Sequence, residues 1–329
     1  DKTGKVVAAA PAYLKDHSEG ELGVDLGLAM AHTRAAGPYY PKLQVEVPMT
    51  PIAGPRLLVC AGENEAETRQ TLLAALRQQA EKDSASSVQI TYMTAPEWDA
   101  TETAGFLKSE GNAYVWHNPG ANTFDDILAA MHSRGRSKVR RERKKVAAEG
   151  LTYRSYRGDS LTAELAAPFF EMYAATYNHN KTELWHNLAY FEQIFNTMAD
   201  VQDLTFAYKG EELVAMQLSF LSEETIYAHH WGHSGDIRFL HFELGIYQTY
   251  ETALAGGKSA INFGTTGQHK AERGIAMEPA YHSLWFRAPD FAEIAEFGIK
   301  RKRAAAAKER VEENARLPYA NGAEKESGR

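Results

Sequence analysis

The pattern of apolar and polar positions along the chain falls into segments of two periods. Residues 5–14, Lys5-Val6-Val7-Ala8-Ala9-Ala10-Pro11-Ala12-Tyr13-Leu14, read as a strand ended by the polar turn Asp16-His17-Ser18-Glu19-Gly20. A helix is expected over 25–36, closed by Gly37-Pro38. Leu43, Val45 and Val47 alternate with Gln44 and Glu46, the pattern of a half-buried strand. Pro48, Pro51, Gly54 and Pro55 force an irregular loop before a buried strand over 56–60. Leu72, Leu73, Leu76 and Ala80 give helical spacing across 65–82, and Val88, Ile90 and Tyr92 alternate again. With a short strand over 113–116, the order is that of an α/β unit.

Phe124, Ile127, Leu128 and Met131 mark a helix capped by Asn122 or Thr123. Gly135 is expected to interrupt it and Ser137 to restart a basic helix running to Gly150. A strand over 151–156 precedes helices over 164–177 and 188–198. Three strands, 204–208, 212–220 and 225–231, are joined by Lys209-Gly210-Glu211 and Leu221-Ser222-Glu223-Glu224. A helix over 239–255 follows, then a strand over 259–263, a loop to Gly274 and a strand over 280–286. From Asp290 the chain reads as a charged helix, and beyond Leu317-Pro318 small polar residues predict fraying. Helix, helix, three-strand meander, helix, strand, loop, strand resembles the acetyltransferase fold, and the first half repeats it in shortened form.

The expected fold class is therefore α/β (α+β), with tandem acetyltransferase-like units of mixed sheets flanked by helices. The expected division is a first unit over 1–122, a basic linking helix over 123–150, a second unit over 151–290, and a C-terminal helix with a flexible tail over 291–329. A length of 329 residues accommodates two cores. With 44% hydrophobic and 11% aromatic residues the composition is globular rather than disordered. No apolar run reaches the roughly 20 residues of a membrane span, and the polar start lacks a signal-peptide pattern, so a cytoplasmic protein is expected. The chain opens at Asp1 rather than Met, which points to a fragment or a processed form. Cys60, the single cysteine, sits in Leu57-Leu58-Val59-Cys60 and reads as a core residue. A net charge of −7 argues against a general nucleic-acid binder, yet Arg134, Arg136, Lys138, Arg140, Arg141, Arg143, Lys144 and Lys145 concentrate in one run.

Three stretches together resemble the FemAB-like branch of the acetyltransferase superfamily. They are Tyr39-Tyr40-Pro41-Lys42-Leu43 with Pro48-Met49-Thr50-Pro51-Ile52-Ala53-Gly54-Pro55-Arg56, the basic helix over 133–150, and a group in the second half. That group comprises His230-Trp231-Gly232, Phe239-Leu240-His241-Phe242-Glu243, Asn262-Phe263-Gly264 and Gln268-His269-Lys270-Ala271-Glu272-Arg273-Gly274. The resemblance runs to about residue 300 and implies an N-terminal stretch missing here, leaving the first unit incomplete. It further implies transfer of an aminoacyl group from aminoacyl-tRNA to a small-molecule or peptide amine, with a lysine beside the aminoacyl ester at Lys270 and no metal or other cofactor. Ordinary acetyltransferases cradle the CoA pyrophosphate on a Gly-rich loop at a helix start. Here that place reads Gly235-Asp236-Ile237-Arg238-Phe239-Leu240-His241, with one glycine and bulky residues.

Physical chemistry assigns matching roles. Attack of an amine on an ester or thioester builds an oxyanion, which a fixed ammonium such as Lys270 stabilises. Arg273 is expected to share that role or hold a phosphate. His229, His241 or Glu243 would take the amine's proton. Alternation groups His229 with Tyr227 and Trp231, and places His230 on the opposite face. Gln268, Trp231 and Tyr227 are expected to contact substrate. Tyr40, Lys42 and Arg56 mark an acceptor-recognition surface, and Arg136, Arg140, Arg143 and Lys144 an anion or tRNA surface. No regular metal-ligand spacing accompanies the histidines. Two other readings stay open: an N-acyltransferase using acyl-CoA or a carrier-protein thioester, and a non-catalytic binding module for a cell-wall precursor or anionic ligand.

Overall fold

The computed structural model describes residues 4–21, 25–180, 183–235 and 237–319. Asp236 and the part of the expected fraying tail from residue 320 onward lie outside the described residues. The elements begin with β1 (Ala8–Ala9), β2 (Ala12–Lys15), α1 (Leu26–Ala35), β3 (Lys42–Val45), β4 (Leu58–Val59), α2 (Glu65–Lys82), β5 (Ser87–Met93), α3 (Ala95–Thr103) and β6 (Leu107–His117). Next come α4 (Phe124–Ala130), α5 (Ser133–Ala147), β7 (Leu151–Tyr156), α6 (Ala166–Asn180), α7 (Leu188–Thr197), β8 (Gln202–Lys209), β9 (Glu212–Leu221) and β10 (Thr225–His233). The chain then forms α8 (Leu240–Phe242), a π-helical segment (Glu243–Gln248), α9 (Thr249–Ala255), β11 (Ala260–Asn262), a 3-10 turn (Gln268–Arg273), β12 (Ala276–Phe286) and α10 (Pro289–Asn314). Among the described residues no helix is long and apolar enough to cross a membrane.

The chain divides into two compact units, Asp1–Asn112 with Glu278–Glu312, and Ala113–Met277 with Glu313–Arg329. It passes from the first to the second inside β6 and returns inside β12. This division departs from sequence order. β12, expected as the last strand of the second unit, pairs antiparallel with β5 of the first, while β6 pairs antiparallel with β11 of the second. The basic helix α5 lies within the second unit, and α10 up to Glu312 lies within the first. A strand's own pattern records which faces are buried but not which neighbour it pairs with.

In the first unit the strands run β2-β3-β5-β12, with β3 parallel to β5. One face carries Leu43, Val45, Val88, Ile90 and Trp285 against Leu73, Leu76 and Ala80 of α2. The alternate positions Lys42, Gln44, Glu46, Ser87, Gln89 and Thr91 are buried as well, so these strands are covered on both faces rather than half-buried. Helix α3 went unanticipated, although Thr94-x-x-Glu97 is a capping box. The buried Glu97 carboxylate accepts from Thr94 N–H (3.1 Å) and Oγ1 (2.8 Å), and from the N–H groups of Arg56 (2.8 Å) and Leu57 (2.7 Å). Those two amides are thereby withdrawn from a ladder, and the strand expected over 56–60 shrinks to β4.

In the second unit the order is β6-β11-β10-β9-β8-β7, antiparallel except for β10 and β11. Phe169, Tyr173, Phe191 and Phe195 of α6 and α7 pack with Leu204, Phe206, Met216 and Leu218. A separate core joins Ile127, Leu128, Val139, Ile246, Tyr247 and Tyr250 to Trp116, Ile226 and Ile261. The break between α4 and α5 falls at Met131-His132 rather than at Gly135. His132 caps α5 by accepting the Gly135 N–H at 3.0 Å. Where β10 passes α6, Gly232 permits close approach, since a Cβ there would lie 2.8 Å from the Met172 carbonyl oxygen and 2.7 Å from Met216 Cε. Gly232→Ala should therefore lower stability by about 1–3 kcal/mol, the usual cost of overpacking. Gly235→Ala, whose Cβ would meet nothing within 4 Å, should leave it nearly unchanged. Urea unfolding midpoints of the two variants check this.

Candidate functional site

The site is built where β10 and β11 stop pairing. Their parallel ladder ends at Tyr227↔Asn262, and β10 immediately carries a bulge between Ala228 and His230. From Asn262 the chain turns through Phe263-Gly264 into the Gln268–Arg273 turn, which is entered at Gly267 (φ 107°) and left at Gly274 (φ 88°). Both conformations favour glycine. Within this turn the half-buried Lys270 donates to the carbonyls of Phe263 and Thr266, and its Nζ lies 5.4 Å from the centroid of the Tyr114 ring. Burial lowers its amine to about 8.

His241 at the start of the broken helix and His269 in the turn face one another, with ring centroids 5.3 Å apart. Trp231 stands 5.0 Å from His241, and Phe242 5.0 Å from His269. Burial pushes both imidazoles down to about 4, and the nearby Lys270 and Arg273 charges add to the effect. Both rings are therefore neutral at pH 7, each with a lone pair available. The Nε2 of His269 is buried without a hydrogen-bond partner.

Lys270, His241 and Trp231 are thus brought together, with Gln268 exposed at the head of the turn. His229 and Tyr227 are not. The bulge makes His229 the extra residue, so Tyr227 and His230 share one face while Ala228 and Trp231 share the other. His229 lies against His230 (4.1 Å) and Phe220 (5.5 Å). His230 in turn meets Tyr173 of α6 and His186, which precedes α7. Burial, then the neighbouring His186, lowers His229 to about 4. Glu243 is occupied as well, its carboxylate gripped by Arg143 Nε and Nη2 and by Gln248 Nε2.

The charged residues expected to meet ligands divide the same way. Arg273 is buried in an ion pair with Glu142. Arg143 is spent on Glu243 and Glu251, and Arg136 donates to the Ala129 and Met131 carbonyls at the end of α4. Arg140 and Lys144 remain exposed. In the first unit Lys42 is fully buried between Glu21 and Asp25, and Arg56 donates to the Thr91 (3.0 Å) and Ile52 (2.7 Å) carbonyls. Tyr40, half-buried, shares a hydrogen bond with Ser18 at 2.8 Å. Sequence reasoning missed His269 and Glu142. His269 had a visible signal as the neighbour of Lys270, and Glu142 as the lone acid of the basic run.

In each unit mixed strand pairing with flanking helices defines a tandem acetyltransferase-like protein. Residues 1–321 match the FemAB-like family, described as peptidoglycan biosynthesis/recognition, and the chain belongs to that family. No curated protein matches it in sequence. In fold it is similar to FemX, with a TM-score of 0.56 and 14% identity over 90% of this chain and 89% of that one. It is also similar to L-PGS from Bacillus licheniformis, with a TM-score of 0.56 and 10% identity over 80% and 82%. A third similar structure is the C-terminal domain (DUF2156) assigned to a lysylphosphatidylglycerol synthetase from Agrobacterium fabrum, with a TM-score of 0.56 and 12% identity over 77% and 80%.

The depressed imidazoles fix the sign of a pH effect. Unfolding returns His241 and His269 from about 4 to an ordinary 6.5, so between these values the unfolded chain binds more protons. Their contribution to stability is complete above about pH 6.5 and is lost as pH falls toward 4. A His241→Asn variant should lose less stability than the wild type over that window, as measured by urea midpoints at pH 7 and pH 4.5.

Proposed function

We propose that this chain transfers an acyl group, specifically an aminoacyl group carried by tRNA, to an amine. The observation that carries the reading is the Lys270 ammonium, half-buried in the turn that follows β11 and gripped by two backbone carbonyls. Membership of the FemAB-like family and the fold shared with FemX support it. In the proposed reaction the neutral acceptor nitrogen attacks the ester carbonyl and a C–N bond forms. The carbonyl oxygen becomes an oxyanion, stabilised by Lys270, which with a value of about 8 is largely charged at pH 7. The neutral imidazoles of His241 and His269 are placed to accept the nitrogen's proton. Collapse breaks the ester C–O bond, and the ribose hydroxyl leaves with a proton. Neither oxidation nor reduction occurs, and positioning supplies most of the remaining rate.

A tRNA donor is favoured over acyl-CoA by the helix after the meander. It opens at Phe239 with φ 70° and runs only Leu240–Phe242 as α-helix before turning π-helical. Such a start offers little of the aligned N–H array that holds a pyrophosphate. For tRNA, the exposed Arg140 and Lys144 are the proposed phosphate contacts. Of the residues expected to recognise the acceptor, Tyr40 keeps exposed surface, whereas Lys42 and Arg56 act by shaping the first unit.

Fluorescence anisotropy with labelled aminoacyl-tRNA and with acetyl-CoA, each at 50 mM and 200 mM salt, tests the donor. The expected result is tRNA binding that weakens with salt, no CoA binding, and a salt slope reduced by about 2 in Arg140→Gln/Lys144→Gln. Tight CoA binding would establish the acyl-CoA reading instead. Binding of neither would leave a carrier-bound donor or a non-catalytic module.

A further inference from the structure

Glu142 is the only acid between Ser133 and Ala147 in the basic helix α5. Its neighbours Arg140, Arg141, Lys144 and Lys145 face solvent, yet Glu142 is 1% exposed. Its Oε1 accepts from Arg273 Nη2 at 2.8 Å, and its Oε2 accepts from Arg273 Nε at 3.1 Å and from the Tyr247 hydroxyl at 2.6 Å. Arg273 Nη1 donates to the His269 carbonyl at 2.6 Å, and the guanidinium lies 3.5 Å over the Phe242 ring. Tyr250 donates to the Arg273 carbonyl at 3.0 Å. One guanidinium fork thus has one edge in α5 and the other inside the turn that carries Lys270.

A buried ion pair is a weak source of net stability, because desolvating both charges offsets their attraction. What a rigid planar fork supplies is geometry, since it is satisfied at only one spacing between its partners. That restraint matters here because the turn is bracketed by glycines at positive φ, where the backbone is least restrained by its own sterics. We infer that Glu142 is a positioning residue: through Arg273 it locks the Gln268–Arg273 turn so that the Lys270 ammonium stays against the Phe263 and Thr266 carbonyls. The functional meaning of this lock rests on the proposed role of Lys270, but the lock itself is measurable without any substrate.

The test is competitive acetylation of the full chain with acetic anhydride across pH 6–11. Mass spectrometry then reads the labelling midpoint of Lys270, with its plateau reporting accessibility. Burial sets this midpoint, and the titratable groups that face the amine are His241 within α8 and His269 in the turn itself. In the wild type the midpoint should lie near 8. In Glu142→Gln the freed turn exposes the amine, so the midpoint should climb toward 10.5 and the plateau should rise. If the turn instead stays fixed, the uncompensated Arg273 charge drives the midpoint down. A lowered or unchanged midpoint therefore overturns the inference. Glu272→Gln, which removes the exposed partner of Lys138 but leaves the Glu142–Arg273 pair intact, should leave the midpoint in place. Should Glu142→Gln fail to fold, Arg273→Lys takes its part, because an ammonium cannot span Glu142 and the His269 carbonyl together. Its midpoint must likewise rise. Donor binding plays no part in the readout, so this inference and the aminoacyl-transfer reading fail separately.

Discussion

The second unit is organised around two opposite charges withdrawn from water, the buried Glu142 and Arg273. A lone charge in that interior would be heavily penalised, so the carboxylate must meet the guanidinium with its geometry satisfied. That requirement ties together three pieces of chain far apart in sequence: α5, the π-helical segment through Tyr247, and the turn after β11. The same helix repeats the device one residue on. Arg143 grips Glu243 and Glu251, bolting α5 to both the π segment and α9, while its guanidinium lies 4.4 Å over Phe124. A helix that reads as a basic surface therefore has a second face made of paired charge.

The first unit follows the same rule with different residues. Lys42 lies between Glu21 and Asp25, Lys15 reaches Glu21 at 2.7 Å, and the Tyr39 hydroxyl donates to Asp25 at 2.7 Å. Burial alone would push the Asp25 carboxyl up, but the Lys42 charge and the hydrogen bonds around it hold it below the ordinary range. Burial raises the Glu46 carboxyl, and Glu21 as a like-charged neighbour adds to the effect. The sheet in this unit thus has one apolar face and one ionic face, both covered. Residues that look like a recognition surface in a linear motif, Lys42 and Arg56, are consumed by the architecture.

Much of this was legible from periodicity. α2, α7 and the β8–β10 meander fall where the apolar spacing puts them, because each buries one face along a continuous run. The fold class followed from the order of elements, whereas Lys270 was singled out through the family resemblance of the loop after Asn262-Phe263-Gly264. What escaped depends on information that period and order do not contain. The bulge at His229 shifts every later face of β10 by one, separating His229 from Trp231. The π-helical segment inserts into a helix whose pattern looks continuous. Strand exchange between the units depends on hydrogen-bond partners that no strand names in its own sequence. The ion pair of Glu142 and Arg273 spans 131 positions, and within its own run Glu142 reads as an interruption of positive charge.

The central claim, that Lys270 stabilises the oxyanion formed as an amine takes an aminoacyl group, is tested most directly by a single-turnover assay. Labelled aminoacyl-tRNA would be mixed with excess protein and a soluble peptidoglycan precursor peptide bearing a free lysine amine, and formation of the amide followed in time. The account predicts that Lys270→Met slows amide formation by about 10²–10³-fold while tRNA binding is kept, the usual cost of removing one oxyanion partner. Amide formation by Lys270→Met at the wild-type rate would contradict it.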